Sequence, residues 1–165
     1  MTNLRVQVYS TKLIEIIGIK MKITYRGDYA IKTILELARH YGNSPVTIQE
    51  LGHRADTPIK FLEQILLDLK RAGFVESRRG KVGGYRLAKH PSQIKLGDVI
   101  RFIEGPIEPI ACVDKDYDGC NQINNCTLRG VWRQVAQSTA KIIDSITFED
   151  LLKKSKHNET ITYQI

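Results

Sequence analysis

The hydrophobic pattern near the start of the chain predicts an amphipathic helix. Between residues 25 and 41, apolar side chains recur three and four positions apart, which places them on one face of a helix, and Gly42 ends the segment. The apolar positions are Ala30, Ile31, Ile34, Leu35, Leu37 and Ala38, with Lys32, Glu36 and Arg39 expected on the opposite side.

Two further helices are predicted from capping signals and helical periodicity. Thr47 and Glu50 have the spacing of a capping box, so a short helix is expected to reach about Arg54. Thr57 then stands as an N-cap before Pro58, and a third helix is expected over residues 58–73. Its buried stripe is predicted to contain Ile59, Leu62, Ile65, Leu66 and Leu69, with Lys60, Glu63, Gln64 and Lys70 facing outward. Two short helices joined by a tight turn are typical of a helix-turn-helix unit.

After the third helix the pattern changes to that of a β-hairpin. Residues 74–80 and 83–88 predict two strands on either side of a glycine-rich tip. This hairpin is expected to be a wing, and its basic residues are Arg78, Arg79, Lys81 and Arg86. Residues 96–105 predict a fourth helix that Pro106 stops. The predicted fold class is mainly α with a small β-hairpin, a winged helix-turn-helix domain followed by a long helix.

The long helix is predicted to begin near Thr127 and to carry an apolar stripe with a spacing close to 3.5 residues. Since the chain has no other long helix to cover this stripe, we expect it to pair with a second copy in a homodimer. Packing against its own domain is the alternative. The stripe comprises Leu128, Val131, Trp132, Val135, Ile142 and Ile146, and the predicted dimer contacts are Leu128, Trp132, Val135, Ile142 and Ile146. A cap at residues 147–150 predicts a short terminal helix with a solvated, lysine-rich end.

These elements divide the chain into five parts. We expect an N-terminal extension over residues 1–20, consistent with an alternative start at the second methionine, and a DNA-binding domain over residues 21–90. A connecting helix (91–110), a cysteine-bearing loop (111–126), and a dimerisation helix with its tail (127–165) follow. No window approaches the apolar length of a membrane span, and no signal peptide is recognisable, so a cytoplasmic protein without a membrane partner is expected.

The charge is unevenly distributed along the chain, whose formal net charge is +7. Residues 22–89 contain thirteen basic and seven acidic side chains, whereas residues 91–165 contain nine basic and ten acidic ones. A domain with such a basic excess attracts the phosphate backbone of nucleic acids. A merely soluble basic surface is the alternative, and the charge alone does not decide between the two.

A helix-turn-helix with a basic wing predicts which residues meet double-stranded DNA. The third helix is expected in the major groove, with Lys60 and Gln64 best placed to reach base edges, and the wing on an adjacent groove or on phosphates. The full set of predicted DNA-binding residues is Thr57, Lys60, Phe61, Gln64, Arg78, Arg79, Lys81 and Gly83.

The chain has three cysteines, all within fifteen residues: Cys112, Cys120 and Cys126. An odd number fits a disulfide framework poorly, and there is no C-x-x-C pair of the kind that a thiol redox enzyme or a zinc knuckle would use. We therefore expect no enzyme. Thiolates suit iron-sulfur clusters and zinc alike, and free thiols or a regulatory disulfide remain the alternative to a bound group.

The stretches MKITYRGDYAIKTILELA, FLEQILLDLKRAGFVESRRG, GGYRL and LGDVIRFIEGPIEPI, in this order, resemble the Rrf2 family of winged-helix regulators. The resemblance covers about residues 21–152. It implies a homodimeric transcription factor that binds a double-stranded DNA operator, and it implies no small-molecule substrate.

A subset of that family, which includes IscR-like and NsrR-like members, carries three cysteines in this region. The resemblance implies an iron-sulfur cluster, 2Fe-2S or 4Fe-4S, on Cys112, Cys120 and Cys126, which would sense iron, redox or nitric oxide status. IscR-like members add a histidine where this chain has Arg129. NsrR-like members use an aspartate at the position of Asp28, which is therefore the candidate fourth ligand, supplied by the partner subunit. An ordinary acidic residue near a helix N-terminus is the alternative for Asp28.

A second group within the family is also similar to this chain. The GPIEPI stretch and the tail after Ile142 resemble CymR-like members, which are cluster-free repressors of sulfur and cysteine metabolism. The three cysteines favour the cluster-binding group over this alternative.

Overall fold

The computed structural model describes residues 23–80, 83–114 and 116–162, the last seven by their backbone alone. The predicted extension (1–20) and Lys81 lie outside the described residues. The helices are α1 (Tyr25–Arg39), α2 (Ile48–Arg54), α3 (Ile59–Arg71), α4 (Leu96–Glu104), α5 (Thr127–Asp144) and α6 (Phe148–Thr162). The strands are β1 (Val75–Arg78) and β2 (Gly84–Leu87), and short 3-10 turns occupy Pro91–Gln93 and Ala111–Val113. The mainly helical fold with one hairpin is confirmed.

The core forms where the apolar faces of α1 and α3 meet. Ile34 and Leu37 from α1 and Leu62 and Leu66 from α3 have at most 1% of their surface exposed. Burying a leucine or isoleucine side chain contributes about 1.5–3 kcal/mol, so this contact fixes the angle at which α3 lies on the domain.

Two positions depart from the predicted helical faces. Glu36, expected on the solvent side of α1, is buried with 7% exposure, and its carboxylate accepts from Arg39 Nη1 at 2.5 Å. The ion pair offsets the cost of burying that charge. Ile59, expected in the buried stripe of α3, is 43% exposed and is the first residue of that helix.

The turn before α3 also differs from its prediction. Pro58 occupies the N-cap position of α3, and no side chain caps the helix, so the expected N-cap role of Thr57 is wrong. The Thr57 hydroxyl instead donates to the Ala55 carbonyl at 3.0 Å. By contrast, the predicted capping box of Thr47 and Glu50 at α2 is confirmed.

The hairpin is anchored to the segment that precedes α2. β1 and β2 pair antiparallel, with Val75 opposite Leu87 and Arg78 opposite Gly84. Val46 and Tyr85 exchange two backbone hydrogen bonds of 2.9 and 2.8 Å, which adds a single residue to the outer edge of β2. Gly84 has a φ of 155°, and a Cβ there would overlap the Val46 backbone, so glycine is required at this contact.

The terminal helix begins in the core, while Lys153 and Lys154 further along it are exposed, as expected for a solvated end. α6 is 15 residues long, not short as predicted, and its first residue, Phe148, is fully buried. Phe148 lies in one hydrophobic cluster with Ile34, Leu37, Ile94 and Val99. The hydrophobic core of α1 and α3 therefore also includes residues of α4 and the start of the segment after α5.

The end of α5 is joined to α4 by a charged pair. Arg101 donates two hydrogen bonds to the Asp144 carboxylate, at 2.7 and 2.9 Å, and Gly97 leaves room for this pair because a Cβ there would overlap it. Ile146 lies beyond the end of α5, where its carbonyl accepts from the Leu96 amide at 2.9 Å. Its predicted place in the apolar stripe of the long helix is therefore wrong. No helix in the described ranges is long and apolar enough to cross a membrane.

Candidate nucleic-acid interface and cysteine loop

The face of α3 that points away from the core carries polar and aromatic side chains. Lys60 and Gln64 are exposed, and Phe61 is 57% exposed with its ring 6.1 Å from that of Tyr29. They lie on the side opposite Leu62 and Leu66, so an approaching duplex would meet them first. This places three of the predicted DNA-binding residues on one accessible face.

Thr57 does not join that face. It is 3% exposed, and its hydroxyl is used by the Ala55 carbonyl. Its side chain is therefore unavailable to DNA, and we withdraw it from the predicted contacts. Its position explains the change: Thr57 closes the turn between α2 and α3, where its amide donates to the Gly52 carbonyl at 2.9 Å.

An ionic cluster lies beside Gln64 on the same side of α3. Asp68, which is 8% exposed, accepts a hydrogen bond of 2.6 Å from Arg26 of α1 and one of 3.3 Å from Arg71. The Gln64 amide nitrogen lies 3.3 Å from each Asp68 carboxylate oxygen. Burial raises the pKa of Asp68, but the hydrogen bonds from Arg26 and Gln64 outweigh it, so this pKa lies below its ordinary value. The cluster ties the N-terminus of α1 to the face of α3.

The sequence did not point to Asp68 or Arg26 as part of this surface. Gln64 and Asp68 are four residues apart in a predicted helix, so the sequence could have predicted that their side chains interact. The contact with Arg26 spans 42 positions along the chain, and no local pattern reveals it.

The wing presents arginines next to this surface. Arg78 and Arg79 are exposed at the end of β1, whereas Arg86 pairs with Glu76 across the hairpin at 2.5 Å. The Gly83 amide donates to the Gly80 carbonyl at 2.9 Å, so Gly83 closes the hairpin turn. Arg78 and Arg79 are thus the described wing residues best placed for phosphate contacts.

The three cysteines lie around the N-terminal end of α5. Cys112 is in the 3-10 turn, Cys126 occupies the N-cap position of α5, and Cys120 lies in the loop between them. All three are half-buried, and none forms a disulfide. Within the described part of the chain, no group of three or more histidine, cysteine, aspartate or glutamate side chains is close enough to hold a metal ion. The structure therefore does not gather the three thiols into one preformed site.

Arg129 fastens this loop to α5. Its Nε donates to the carbonyl of Cys112 at 2.8 Å, and its Nη1 donates to the carbonyl of Ile123 at 3.3 Å. One side chain thus ties an early and a late part of the loop to the first turn of the helix. Arg129 stands where IscR-like sequences have a histidine ligand, and here its guanidinium binds backbone instead.

Asp28 lies in the first turn of α1, where its side chain is partly exposed. Its carboxylate pairs with Lys32 at 2.7 Å, and 46% of its side chain is exposed. The same end of α1 is fixed by Thr24, whose amide and hydroxyl both donate to Glu104 Oε1, at 3.1 and 2.6 Å. Asp28 is therefore accessible to a second subunit.

The three cysteines are chemically suited to bind an iron-sulfur cluster, but their thiols are not arranged around one point. Three thiols on a segment of fifteen residues are the ligands that such clusters prefer, and all three are free. Since they do not converge, binding would require the loop between Cys112 and Cys126 to close. Segments without regular secondary structure can change in this way at low cost.

The long helix has a mostly exposed apolar stripe. None of the residues of α5 is buried within the chain, and Leu128, Val131 and Ile142 are between 55% and 61% exposed. Trp132 is 37% exposed, and Val135 is half-buried. Val131 belongs to the predicted stripe and is exposed like Leu128 and Ile142.

Comparisons with known proteins agree with this arrangement. A family model named Rrf2 and described as an iron-dependent transcriptional regulator matches residues 23–154. A putative HTH-type transcriptional regulator, rrf2-like, of Rhodobacter capsulatus is 42% identical over 137 residues, which is 79% of this chain and 91% of that protein.

Two solved structures have the same fold. The global cysteine regulator CymR of Bacillus subtilis matches with a TM-score of 0.67 and 32% identity, over 81% of this chain and 97% of that one. IscR of T. potens matches with a TM-score of 0.66 and 34% identity, over 82% of this chain and 89% of that one. The family match spans more than half of the chain and both structures share its winged-helix fold, so this protein belongs to the Rrf2 family of transcriptional regulators.

Proposed function

We propose that this protein is a cytoplasmic, homodimeric regulator that binds a specific DNA operator, and that an iron-sulfur cluster on Cys112, Cys120 and Cys126 controls its affinity. The observation that carries the proposal is the presence of three free, half-buried thiols in one loop at the start of α5. Fifteen residues hold all the cysteines of the chain, and thiolates are the usual protein ligands of such clusters.

DNA binding rests on the outward face of α3 and on the wing. Lys60, Phe61 and Gln64 would enter the major groove, while Arg78 and Arg79 would meet phosphates or the adjacent groove. The basic excess of residues 22–89 supports this assignment, because it supplies the salt-dependent part of the affinity. A second subunit, paired through the exposed stripe of α5, would provide the second recognition helix and wing for a two-fold symmetric operator.

Coupling between cluster and DNA would pass through α5. Arg129 joins the cysteine loop to one end of this helix, and the pair of Asp144 with Arg101 joins the other end to α4. α4 in turn contacts α1 through Glu104 and Thr24. Closing the loop around a cluster would therefore act on a connected series of elements that ends at the DNA-binding domain.

The fourth ligand is proposed to be Asp28 of the partner subunit. Its carboxylate is half-exposed, and among the described residues it pairs only with Lys32. A bond from the carboxylate to the cluster iron would displace Lys32. An Asp28→Ala protein is expected to have an altered cluster spectrum and faster loss of the cluster in air. Lys32→Ala is the matched control, because it removes the ion pair and leaves the ligand. An unchanged spectrum in Asp28→Ala would remove Asp28 from the site.

A second candidate function is cluster-free control of cysteine metabolism, in line with the similarity to the global cysteine regulator of Bacillus subtilis. One observation favours it: that structure is as similar to this chain as the IscR structure is.

Anaerobic purification separates the two functions. If a cluster is bound, the protein should contain iron and sulfide in equal amounts, show sulfide-to-iron absorption, and change its operator affinity when the cluster is removed. A protein with all three cysteines replaced by serine should lose the iron and remain folded, since none of the three side chains lies in the core. A protein that binds its operator fully without iron, and that is unaffected by iron and sulfide, would support the cluster-free function.

A further inference from the structure

The amide of Gln64 has a fixed orientation because Asp68 holds it. The amide nitrogen lies 3.3 Å from both oxygens of the Asp68 carboxylate, one helical turn away. A carboxylate can only accept hydrogen bonds, so the amide must turn its N–H group toward Asp68 and its carbonyl oxygen away. A glutamine without such a partner could present either end to DNA.

Asp68 is itself held firmly in place. It is 8% exposed, and Arg26 and Arg71 donate to it from two directions at 2.6 and 3.3 Å. The carboxylate is therefore a fixed, charged acceptor, with its negative charge balanced by two guanidinium groups. Because the cluster of Arg26, Asp68 and Arg71 keeps a net positive charge, Asp68 does not repel the phosphates of an approaching duplex.

The orientation of Gln64 determines which base edge it can recognise. One N–H is directed at Asp68, which leaves the carbonyl oxygen and the second N–H for DNA. Adenine offers a matching donor and acceptor in the major groove, its N6 amino group and N7, whereas guanine offers two acceptors, O6 and N7. We propose that Asp68 is a positioning residue that sets Gln64 to read adenine and to reject guanine.

This inference rests on the proposed function, in which α3 lies in the major groove. It goes beyond that function because it assigns a base preference to one residue and the cause of the preference to another that need not touch DNA. It also predicts an unusual pair of effects. Asp68→Asn removes one negative charge, so non-specific affinity should rise or stay the same, while the preference for adenine falls. A residue with a merely structural role would lower both.

Selection of binding sites from randomised duplexes tests the proposal. The wild-type protein, in the form that binds DNA, should enrich one sequence, and Gln64→Ala should lose the preference at one position of it. We expect that position to be adenine in the wild type, with about tenfold discrimination against guanine. In Asp68→Asn this discrimination should fall to less than about threefold, because asparagine offers an amino donor as well as a carbonyl acceptor and so no longer fixes which end of the Gln64 amide faces the DNA.

The matched control is Asp56→Asn. Asp56 is exposed, lies in the turn before α3 and has a φ of 47°, a conformation that asparagine tolerates well. This variant makes the same chemical change near the same helix. Its non-specific affinity should rise or stay the same, as in Asp68→Asn, but it should retain the preference for adenine.

Modified bases test the same point in the wild-type protein, so the result does not depend on the folding of a variant. Replacing the selected adenine by purine, which lacks the N6 amino group, should weaken operator binding by about tenfold. Removing the donor should cost at least as much as removing N7 with 7-deazaadenine, because the carbonyl of Gln64 is held toward the groove.

The outcomes separate this inference from the function on which it rests. If the wild type enriches no sequence and binds all duplexes equally, the proposed operator recognition fails, and the role of Asp68 fails with it. If the wild type enriches a sequence but prefers guanine at the position of Gln64, or if Asp68→Asn keeps the full preference for adenine, only the positioning role is wrong. Insensitivity to purine at that position would overturn it as well.

Discussion

Phe148 is the residue through which the terminal helix should contribute most to stability. Its side chain is fully buried in the cluster that contains Ile34, Leu37 and Val99, and its amide donates to the Ile94 carbonyl at 3.0 Å. Phe148→Ala would leave a cavity between α6 and α1. Deletion of a buried phenyl ring costs about 3–5 kcal/mol, from lost burial and from the cavity together. The melting temperature of a chain of this size should then fall by about 10 °C.

Phe61→Ala is a matched control for this prediction. It deletes the same ring from a side chain that is 57% exposed and whose aromatic contact is with Tyr29. Its expected cost is about 1 kcal/mol, the value of an aromatic pair plus partial burial. Both variants are compared with the wild type by urea unfolding, at one protein concentration because dimerisation affects apparent stability.

The two unfolding free energies decide whether α6 belongs to the cooperative unit. A loss of less than about 1 kcal/mol in Phe148→Ala, or a loss equal to that of Phe61→Ala, would refute the reasoning. It would mean that α6 separates from α1 before the domain unfolds. A large loss of unfolding free energy, with an unchanged slope of that free energy against urea concentration, would place the start of α6 in the same folding unit as α1 and α3.

Three further predictions concern the region around α5. Arg129→Ala should release the Cys112 carbonyl, so the Cys112 thiol should react several times faster with a disulfide reagent in the absence of denaturant. An unchanged reaction rate would argue that Arg129 does not restrain the loop. Trp132→Ala should raise the dimer dissociation constant by about 30-fold, the effect of about 2 kcal/mol at a central interface residue, as measured by sedimentation equilibrium. The hydrogen bonds from Arg101 hold the pKa of Asp144 below its ordinary value of 3.8, so its stabilising effect is present above that pH and is lost as the pH falls through the lower folded value. Asp144→Asn should therefore lower the melting temperature at neutral pH, with a difference that shrinks below 3.8.

Local pattern was sufficient for most of the secondary structure. The apolar spacing of Leu62, Ile65, Leu66 and Leu69 predicted both the helix and its buried face, and all four are buried. Ile59 was predicted wrongly in the same face, since it is exposed. The pattern therefore identifies a face, and tertiary packing decides how far along the helix that face is covered.

Ile146 and Glu36 show a second limit of predicting structure from hydrophobic periodicity. The heptad spacing of Ile146 continued that of Trp132, but α5 ends at Asp144, whose carboxylate is held by Arg101 from α4. Glu36 has the charge of a surface residue, yet its pairing with Arg39 allows burial. Hydrophobic periodicity carries no information about where a helix ends or about ion pairs such as that of Glu36 with Arg39.

The candidate site was predictable in its parts and not in its arrangement. The outward positions of Lys60 and Gln64 follow from the helical face, whereas the bond between Asp68 and Arg26 requires α1 and α3 to be folded together. The cysteines were recognisable from their types and proximity in sequence. Whether the three thiols converge depends on the conformation of the loop. The spacings of seven and five residues between the cysteines do not determine that conformation.

The attachment of α5 at its C-terminal end gives the molecule a mechanical property. Eighteen residues of helix extend about 27 Å, and Asp144 marks a pivot close to α4 and to the domain core. A tilt of about 10° at that pivot displaces the far end by about 5 Å on this length. Cys126 and the loop that Arg129 fastens lie at that far end, so a change of a few ångströms there corresponds to only a slight rotation at the domain. A displacement of the cysteine loop would therefore reach α4 as a small rotation of α5 about the Asp144 end.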